Sequence, residues 1–232
     1  MVREEIKDWL STAMISPRMD IMAVDTNNKC TLTCQNCMRT SYRFNNHPPG
    51  GLKGHDLTPP VFAKLLKHYD RFMFNGQISD PILNPHMELI LKMMRAKIPD
   101  NKMHLSTFHT AATAKHLKKD HYVKMFKANP HIRWVFGIDG LPGESEQYRV
   151  NQDTSFLTQM MFLAADMGIP TTWQWIAFSF NEDSIEQGKA IADAWGITLE
   201  IVASSRWNGP NDTRRPKHEL YKGQYLDWNS GE

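Results

Sequence analysis

Short apolar runs alternate along the chain with longer segments in which apolar residues recur every three or four positions. The short runs predict six β-strands, at residues 19–25, 70–75, 102–107, 132–139, 171–180 and 197–203. The longer segments predict helical stretches between them, at residues 58–69, 86–97, 112–128, 153–167 and 181–195. A polar segment of helical period at residues 3–14 precedes the first strand.

Strands that alternate with helices indicate βαβ units and a mostly parallel sheet. We predict an α/β fold of about six such units, which is too few for the usual closed eight-stranded barrel and therefore indicates a partial, open TIM-type barrel. Residues 1–18 form a predicted helical extension, residues 19–203 the barrel core, and residues 204–232 a tail with little periodicity. In such a fold the active site lies at the carboxyl ends of the strands.

Composition indicates where in the cell the protein works and which partners are not expected to bind it. The formal net charge is +2, and 22% of the residues are charged, which argues against nucleic acid as a partner. We interpret the basic run at residues 214–218 as a solvated tail. No apolar stretch is long enough to cross a bilayer, and residues 1–8 lack the apolar run of a signal peptide, so we expect a cytoplasmic protein without a membrane partner.

All three cysteines lie close together, at Cys30, Cys34 and Cys37. An odd number in one short loop does not fit a disulfide framework and indicates a metal site. Three thiolates can each bind one iron of a [4Fe–4S] cluster, and the fourth iron then lacks a protein thiolate and can bind a substrate or cofactor. Two alternatives remain open, namely a structural zinc site completed by His47 and three unrelated buried cysteines.

The C-x3-C-x2-C spacing of these cysteines resembles the cluster motif of the radical S-adenosylmethionine (SAM) superfamily. The resemblance extends over residues 19–203. It implies that SAM chelates the open iron through its amino and carboxylate groups. It also implies that an external low-potential electron donor drives cleavage of SAM to a 5′-deoxyadenosyl radical, which abstracts hydrogen from the substrate.

Further residues are similar to motifs of this superfamily and are our candidates for cofactor binding. The loop at residues 75–81 resembles its Gly-Gly-Glu-Pro motif, with Asp80 where Glu is usual and Ser79 where Gly is usual. The loop motifs could instead be ordinary turns, and Gln174 could instead be an amide bonded within the core. Gln174 faces the barrel interior only if its flanking tryptophans face the helices. The complete set of candidates is Gly76, Gln77, Ser79, Asp80, Thr107, Asp139, Arg149 and Gln174.

The predicted core resembles those of peptide-modifying, SPASM-type radical SAM enzymes without their cysteine-rich auxiliary-cluster extension. The resemblance therefore implies an oxygen-sensitive enzyme that abstracts hydrogen from a peptide, a nucleotide or a small metabolite, with a peptide slightly favoured. Two alternatives are a glycyl-radical activase that acts on a partner protein and a non-catalytic iron–sulfur or zinc module. Asn181 and Arg206 are weaker candidates, the first as a family residue or a helix N-cap and the second as an anion partner.

Overall fold

The computed structural model describes residues 21–37, 39, 54–204, 207, 209 and 211–222. One sheet of six parallel strands forms its centre, in the order β1-β2-β3-β4-β5-β6. The strands are Met22–Val24 (β1), Phe72–Phe74 (β2), Thr107–Thr110 (β3), Arg133–Gly137 (β4), Thr171–Ile176 (β5) and Thr198–Val202 (β6). This consecutive parallel order confirms the predicted α/β fold with an open sheet. The helical segment predicted at residues 3–14 lies outside the described residues.

The connecting helices lie on one face of the sheet, because right-handed crossovers between consecutive parallel strands place them there. They are Pro59–Leu65 (α1), Met87–Lys97 (α2), Asp100–Met103 (α3), Lys119–Ala128 (α4), Thr154–Asp166 (α5) and Ile185–Ala194 (α6). Local sequence explains two of their starts. Pro59 occupies the first turn of α1, and the Asp153 carboxylate caps α5 by accepting a hydrogen bond from the Phe156 N–H at 3.0 Å. No helix in the described ranges is long and apolar enough to cross a membrane.

The hydrophobic core lies between the helices and the sheet and is rich in aromatic rings. In β2, Phe72 and Phe74 are fully buried while Met73 between them is only half-buried and faces the other side. Phe108 of β3 packs against Trp134 of β4, with ring centroids 4.1 Å apart. Burying each such side chain stabilises the folded protein by about 2 to 3 kcal/mol. The helix-facing positions therefore hold the helices against the sheet, and the opposite face of the sheet remains for a site.

The observed elements differ from the predicted ones in three places. The strand predicted at 102–107 begins only at Thr107, because Lys102 and Met103 end α3 and Met103 is fully buried. The helical stretch predicted at 112–128 begins only at Lys119. The fifth strand ends at Ile176 instead of 180, since the Asn181 side chain accepts a hydrogen bond from the Phe178 N–H at 2.7 Å and turns the chain there.

The contact between α6 and the sheet yields a first test. A Cβ added at Gly188 would lie 2.5 Å from the Trp175 ring, so Gly188→Ala forces two packed elements apart. We expect the free energy of unfolding to fall by about 1 to 2 kcal/mol, because overpacking outweighs the gain in helix propensity. Urea unfolding measures the change. The exposed neighbour Gln187→Ala is the control, and equal stability of the two variants would contradict this packing.

Candidate functional site

A cavity of about 410 Å³ opens at the carboxyl ends of the strands. Three kinds of segment line it: the cysteine loop after β1, the loop after β2, and strand residues that face away from the helices. Most of the sequence-predicted residues therefore meet at one place. Those that line the cavity are Cys30, Cys34, Cys37, Gly76, Gln77, Ser79, Asp80, Arg149 and Gln174.

The cysteine loop is anchored to the loops that follow β3 and β4. The Thr33 N–H donates to the Val150 carbonyl at 3.1 Å, and the Thr31 hydroxyl donates to the Thr113 carbonyl at 2.7 Å. The cysteine loop also contacts the segment after β2, because the Asp80 N–H donates to a carbonyl of the cysteine loop at 2.8 Å. These long-range bonds give the three cysteines a defined position before any metal is bound.

The three thiols are free of disulfides and line the same wall of the cavity. Burial raises the pKa of Cys30 to about 12, and the nearby carboxylate of Asp80 adds to the rise. Burial also raises the pKa of Cys34 to about 11, although the guanidinium of Arg149 opposes it. Thiols in this state are protonated at neutral pH, so a bound metal would have to displace their protons.

The spacing of the thiols bears on the type of metal group that they fit. Among residues 21–37, 39, 54–204, 207, 209 and 211–222, no three Cys, His, Asp or Glu side chains are grouped closely enough to hold a single metal ion. A [4Fe–4S] cluster makes a different demand, because each cysteine binds its own iron at a separate corner. His47, the proposed fourth ligand of a zinc site, lies outside the described residues.

The carboxylate of Asp80 joins the loop after β2 to the end of β3. It accepts hydrogen bonds from the N–H groups of Ala111 and Ala112, both at 2.7 Å, and from the Thr110 hydroxyl at 3.1 Å. A fourth donor is the N–H of Ile82, at 3.0 Å. Burial raises the pKa of Asp80 while these donors oppose the rise. The carboxylate oxygens are thus bonded within the protein, and the side chain shapes the loop that borders the cavity.

The turn before Asp80 requires glycine at its first position. A Cβ on Gly76 would lie 2.3 Å from the backbone carbonyl oxygen of Ser79, closer than any side chain allows. Ser79, which stands where the resembling motif has Gly, is accommodated because its hydroxyl donates to the Asp25 carboxylate at 2.9 Å. The turn therefore stays tight with Ser79 at this position, and its backbone faces the cavity.

A second buried carboxylate, Asp139, holds Arg149 at the cavity wall. The Arg149 Nε lies 2.8 Å from one carboxylate oxygen, and Nη2 lies 3.1 Å from the other. The second oxygen also accepts a hydrogen bond from the Ile176 N–H at 2.9 Å, so the pair joins β4 to β5. Burial raises the pKa of Asp139 while the guanidinium opposes the rise. Gly137 leaves room for the pair, since a Cβ there would lie 3.1 Å from Arg149 Nη2.

The orientation of β5 settles which side chain enters the cavity. Trp173 and Trp175 are buried on the helix side, and the Trp173 indole N–H donates to the Ile138 carbonyl at 2.8 Å. Gln174 between them faces the cavity, as expected if the tryptophans face the helices.

Asn181 makes no helix-capping hydrogen bond through its side chain. Its side chain is buried and donates to the carbonyls of Asp139 and Ile176, at 2.8 and 3.0 Å.

Comparison with known proteins adds a likeness of fold. No protein-family model matches the sequence, and no curated protein matches it. Among solved structures, SuiB of Streptococcus suis covers 86% of this chain at 11% identity with a TM-score of 0.58. The native anSMEcpe structure with bound AdoMet and Cp18Cys peptide covers 87% at 12% identity with a TM-score of 0.54. Both proteins are peptide-modifying radical SAM enzymes.

The chain has the radical SAM fold. It spans about half the length of these relatives, 43% of SuiB and 54% of anSMEcpe. In the radical SAM fold of this chain, the cysteine loop and the Gly76 turn follow neighbouring strands, β1 and β2, which pair in parallel.

Two predicted site residues do not line the cavity of this radical SAM fold. Asp139 is fully buried and faces Arg149 and β5, as described above. Thr107 begins β3 instead of ending it, so the end of the strand lies three residues further along. Thr110, at the end of the strand, lines the cavity and donates to Asp80. The error follows from the predicted strand boundary at 107. Arg206 lies outside the described residues.

His109 lines the cavity and was not among the predicted residues. One ring nitrogen, Nε2, lies 3.0 Å from the hydroxyl oxygen of Thr107. Burial lowers the pKa of His109 to about 4, so the imidazole is neutral at physiological pH. The alternation in β3 could have revealed it, because Phe108 is buried on the helix side and its neighbour His109 must face the opposite side.

Replacing Asp80 tests its structural role. In Asp80→Asn, the amide NH2 would face either the N–H of Ile82 or those of Ala111 and Ala112, and would leave a buried donor without an acceptor in both orientations. We expect the free energy of unfolding to fall by about 2 to 3 kcal/mol, measured by urea unfolding. Asp25→Asn is the matched control, because that carboxylate bonds the same loop from an exposed position. A variant at residue 80 as stable as the one at residue 25 would show that the four bonds contribute little.

Protonation of His109 predicts a pH dependence of stability. Its pKa is about 4 in the folded protein and 6.5 ordinarily, so between these values the unfolded chain binds a proton that the folded chain does not. Stability contributed by the neutral ring is therefore complete above pH 6.5 and falls as the pH drops toward 4, by up to about 1.4 kcal/mol per pH unit. Urea midpoints of the wild type and His109→Gln across this range measure the difference. Parallel curves for the two proteins would exclude the effect.

Proposed function

We propose that the protein is a radical SAM enzyme in which Cys30, Cys34 and Cys37 bind a [4Fe–4S] cluster and SAM occupies the adjoining cavity. The observation that carries the proposal is the convergence of the cysteine loop and the Gly76 turn on one cavity in a radical SAM fold. Solved structures of similar fold add support, since SuiB is bound to S-adenosylmethionine in one structure and anSMEcpe to AdoMet in another.

The arrangement of the thiols supports a cluster over a zinc ion. A structural zinc site usually has four protein ligands, whereas three thiolates can each bind one iron of a [4Fe–4S] cluster and leave the fourth iron open for SAM. The burial that keeps the Cys30 and Cys34 thiols protonated also fits a cluster, because iron cations compensate the thiolate charge inside a low-dielectric wall. When bound, the cluster and SAM supply a 5′-deoxyadenosyl radical that abstracts hydrogen from a substrate.

The remaining cavity residues have distinct tasks in this proposal. The backbone of the Gly76 turn, together with Gln77 and Ser79, borders the space for the amino group of SAM. Arg149 offers its guanidinium at the wall nearest Cys34, where it suits the SAM carboxylate because it presents several donors in a fixed fork. Gln174 presents an amide that can bond a neutral polar group of SAM or substrate.

Asp80, Asp139 and Thr107 act behind this surface. Asp80 holds the turn through its bonds to the end of β3, and Asp139 aims Arg149 through a two-point ion pair. Thr107 bonds His109, which reaches the cavity. These residues position others and do not themselves contact the cofactor in our proposal.

We propose a peptide as the substrate and an external low-potential protein as the electron donor. The support for a peptide comes from the relatives: SuiB is bound to the precursor peptide SuiA, with a TM-score of 0.59 to this chain at 11% identity, and anSMEcpe to the Cp18Cys peptide. An electron donor is required because reductive cleavage of SAM consumes one electron that no group of the protein supplies by itself.

The proposal is tested by SAM cleavage in anaerobically reconstituted protein. With iron, sulfide, dithionite and SAM, the wild type should form 5′-deoxyadenosine, measured by chromatography, and Cys34→Ala should lose both the cluster absorption and this product. Thr33→Ser is the matched control, because it changes the adjacent side chain and keeps the backbone bond to Val150. A Cys34→Ala protein that still cleaves SAM, or a wild type that binds zinc and no iron, would refute the assignment.

A further inference from the structure

The segment that follows β6 packs on the loop between β5 and α6. Trp207 is 8% exposed and contacts the Phe178 ring edge-on, with centroids 5.7 Å apart. Pro216 is buried as well. The solvated tail expected for residues 214–218 is therefore wrong for part of this segment, because its apolar side chains and backbone are docked on the protein.

Hydrogen bonds fix the docked segment in place. The Ser179 N–H donates to the Arg214 carbonyl at 2.9 Å. The carboxylate of Glu182 accepts the backbone N–H groups of Lys217 and His218, at 3.0 and 2.9 Å. Backbone groups on the segment are thus paired with the loop between β5 and α6, so side chains on it have a defined direction.

Arg214 uses its planar group to join this segment to the cysteine loop. Its Nε and Nη2 bind the two carboxylate oxygens of Asp212, at 2.9 and 2.5 Å, and that carboxylate side chain is only 4% exposed. The remaining Nη1 donates to the Gln35 side-chain oxygen at 2.7 Å. The guanidinium therefore makes a two-point bond on one side and a single directed bond on the other, which a lysine ammonium cannot reproduce in the same plane.

Gln35 and Thr33 flank Cys34 and are held from different elements. Thr33 is anchored by the loop after β4, through Val150 and through the Asn151 amide, which donates to its hydroxyl at 3.3 Å. Gln35 is anchored by Arg214, from the segment after β6. Cys34 therefore lies between two anchors that belong to parts of the chain far apart in sequence.

We infer that Arg214 is a positioning residue for the cluster: Asp212 orients its guanidinium, and the bond from Nη1 to Gln35 holds the backbone that carries Cys34. The segment beyond β6 is then part of the cluster site. This inference rests on the proposed function, since it assigns the cysteine loop to cluster binding. The charge of Arg214 is largely compensated by Asp212, so its effect on the cluster is geometric.

The test uses reconstituted protein and four variants: Arg214→Ala, Gln35→Ala, the double variant, and the control Lys217→Ala. Lys217 lies on the same segment with an exposed side chain and docks through its backbone. Each single variant should release iron to a chelator roughly fivefold faster than the wild type, because one charge-assisted bond is lost. The double variant should be no faster than the faster single variant, since both act through the same bond. Lys217→Ala should match the wild type.

Two further measurements separate positioning from general destabilisation. The electron paramagnetic resonance spectrum of the reduced cluster should change in the same way in both single variants and stay unchanged in the control. In metal-free protein, the rate at which iodoacetamide labels Cys34 should rise by a similar factor in both. In Gln35→Ala, which keeps the pair between Arg214 and Asp212, the thermal unfolding temperature should stay unchanged. Additive effects in the double variant, or rates equal to those of Lys217→Ala, would overturn the inference.

The labelling measurement keeps the two proposals distinguishable. If the wild type assembles no cluster, the proposed function fails, and the labelling rates still decide whether Arg214 holds the loop. If the wild type assembles a cluster that cleaves SAM while all variants label like the control, the proposed function stands and the role of Arg214 is refuted.

Discussion

Two buried carboxylates tie neighbouring strands together at the edge of the sheet where the site lies. Asp80, after β2, bonds the backbone just beyond β3, and Asp139, after β4, bonds the Ile176 N–H of β5. Burying a carboxylate is costly unless donors surround it, and each of these has several. The cavity depends on them because they bond the loops that border it to neighbouring strands, in addition to the backbone pairing of the strands.

The same two residues shape the electrostatics of the cavity. Asp139 largely compensates the charge of Arg149, yet leaves the guanidinium facing the space beside Cys34. Asp80 lies close enough to Cys30 to raise the pKa of its thiol. The wall that carries the cysteines is thus poor in free charge, which suits a group that brings its own cations and a cofactor that brings both an ammonium and a carboxylate.

The cysteine loop has little regular structure of its own and takes its position from its neighbours. Contacts reach it from the segments after β2, β3, β4 and β6. A loop held in this way can be rigid without secondary structure, because each anchor removes a different direction of movement.

The sequence by itself determined the strand–helix alternation, the parallel sheet and the group of three cysteines, because these rest on local spacing. It also predicted the starts of α1 and α5 to within one residue, at 58 and 153 against the observed Pro59 and Thr154, since a helix terminus depends on neighbouring residues. Only the tertiary structure decided what the polar side chains do. Asp80 meets Ala111 across 31 positions, and Arg214 meets Gln35 across 179. Such contacts carry no local pattern, because the partners become neighbours only when the strands align, and this is why the roles of Thr110 and Arg214 emerged from the fold alone.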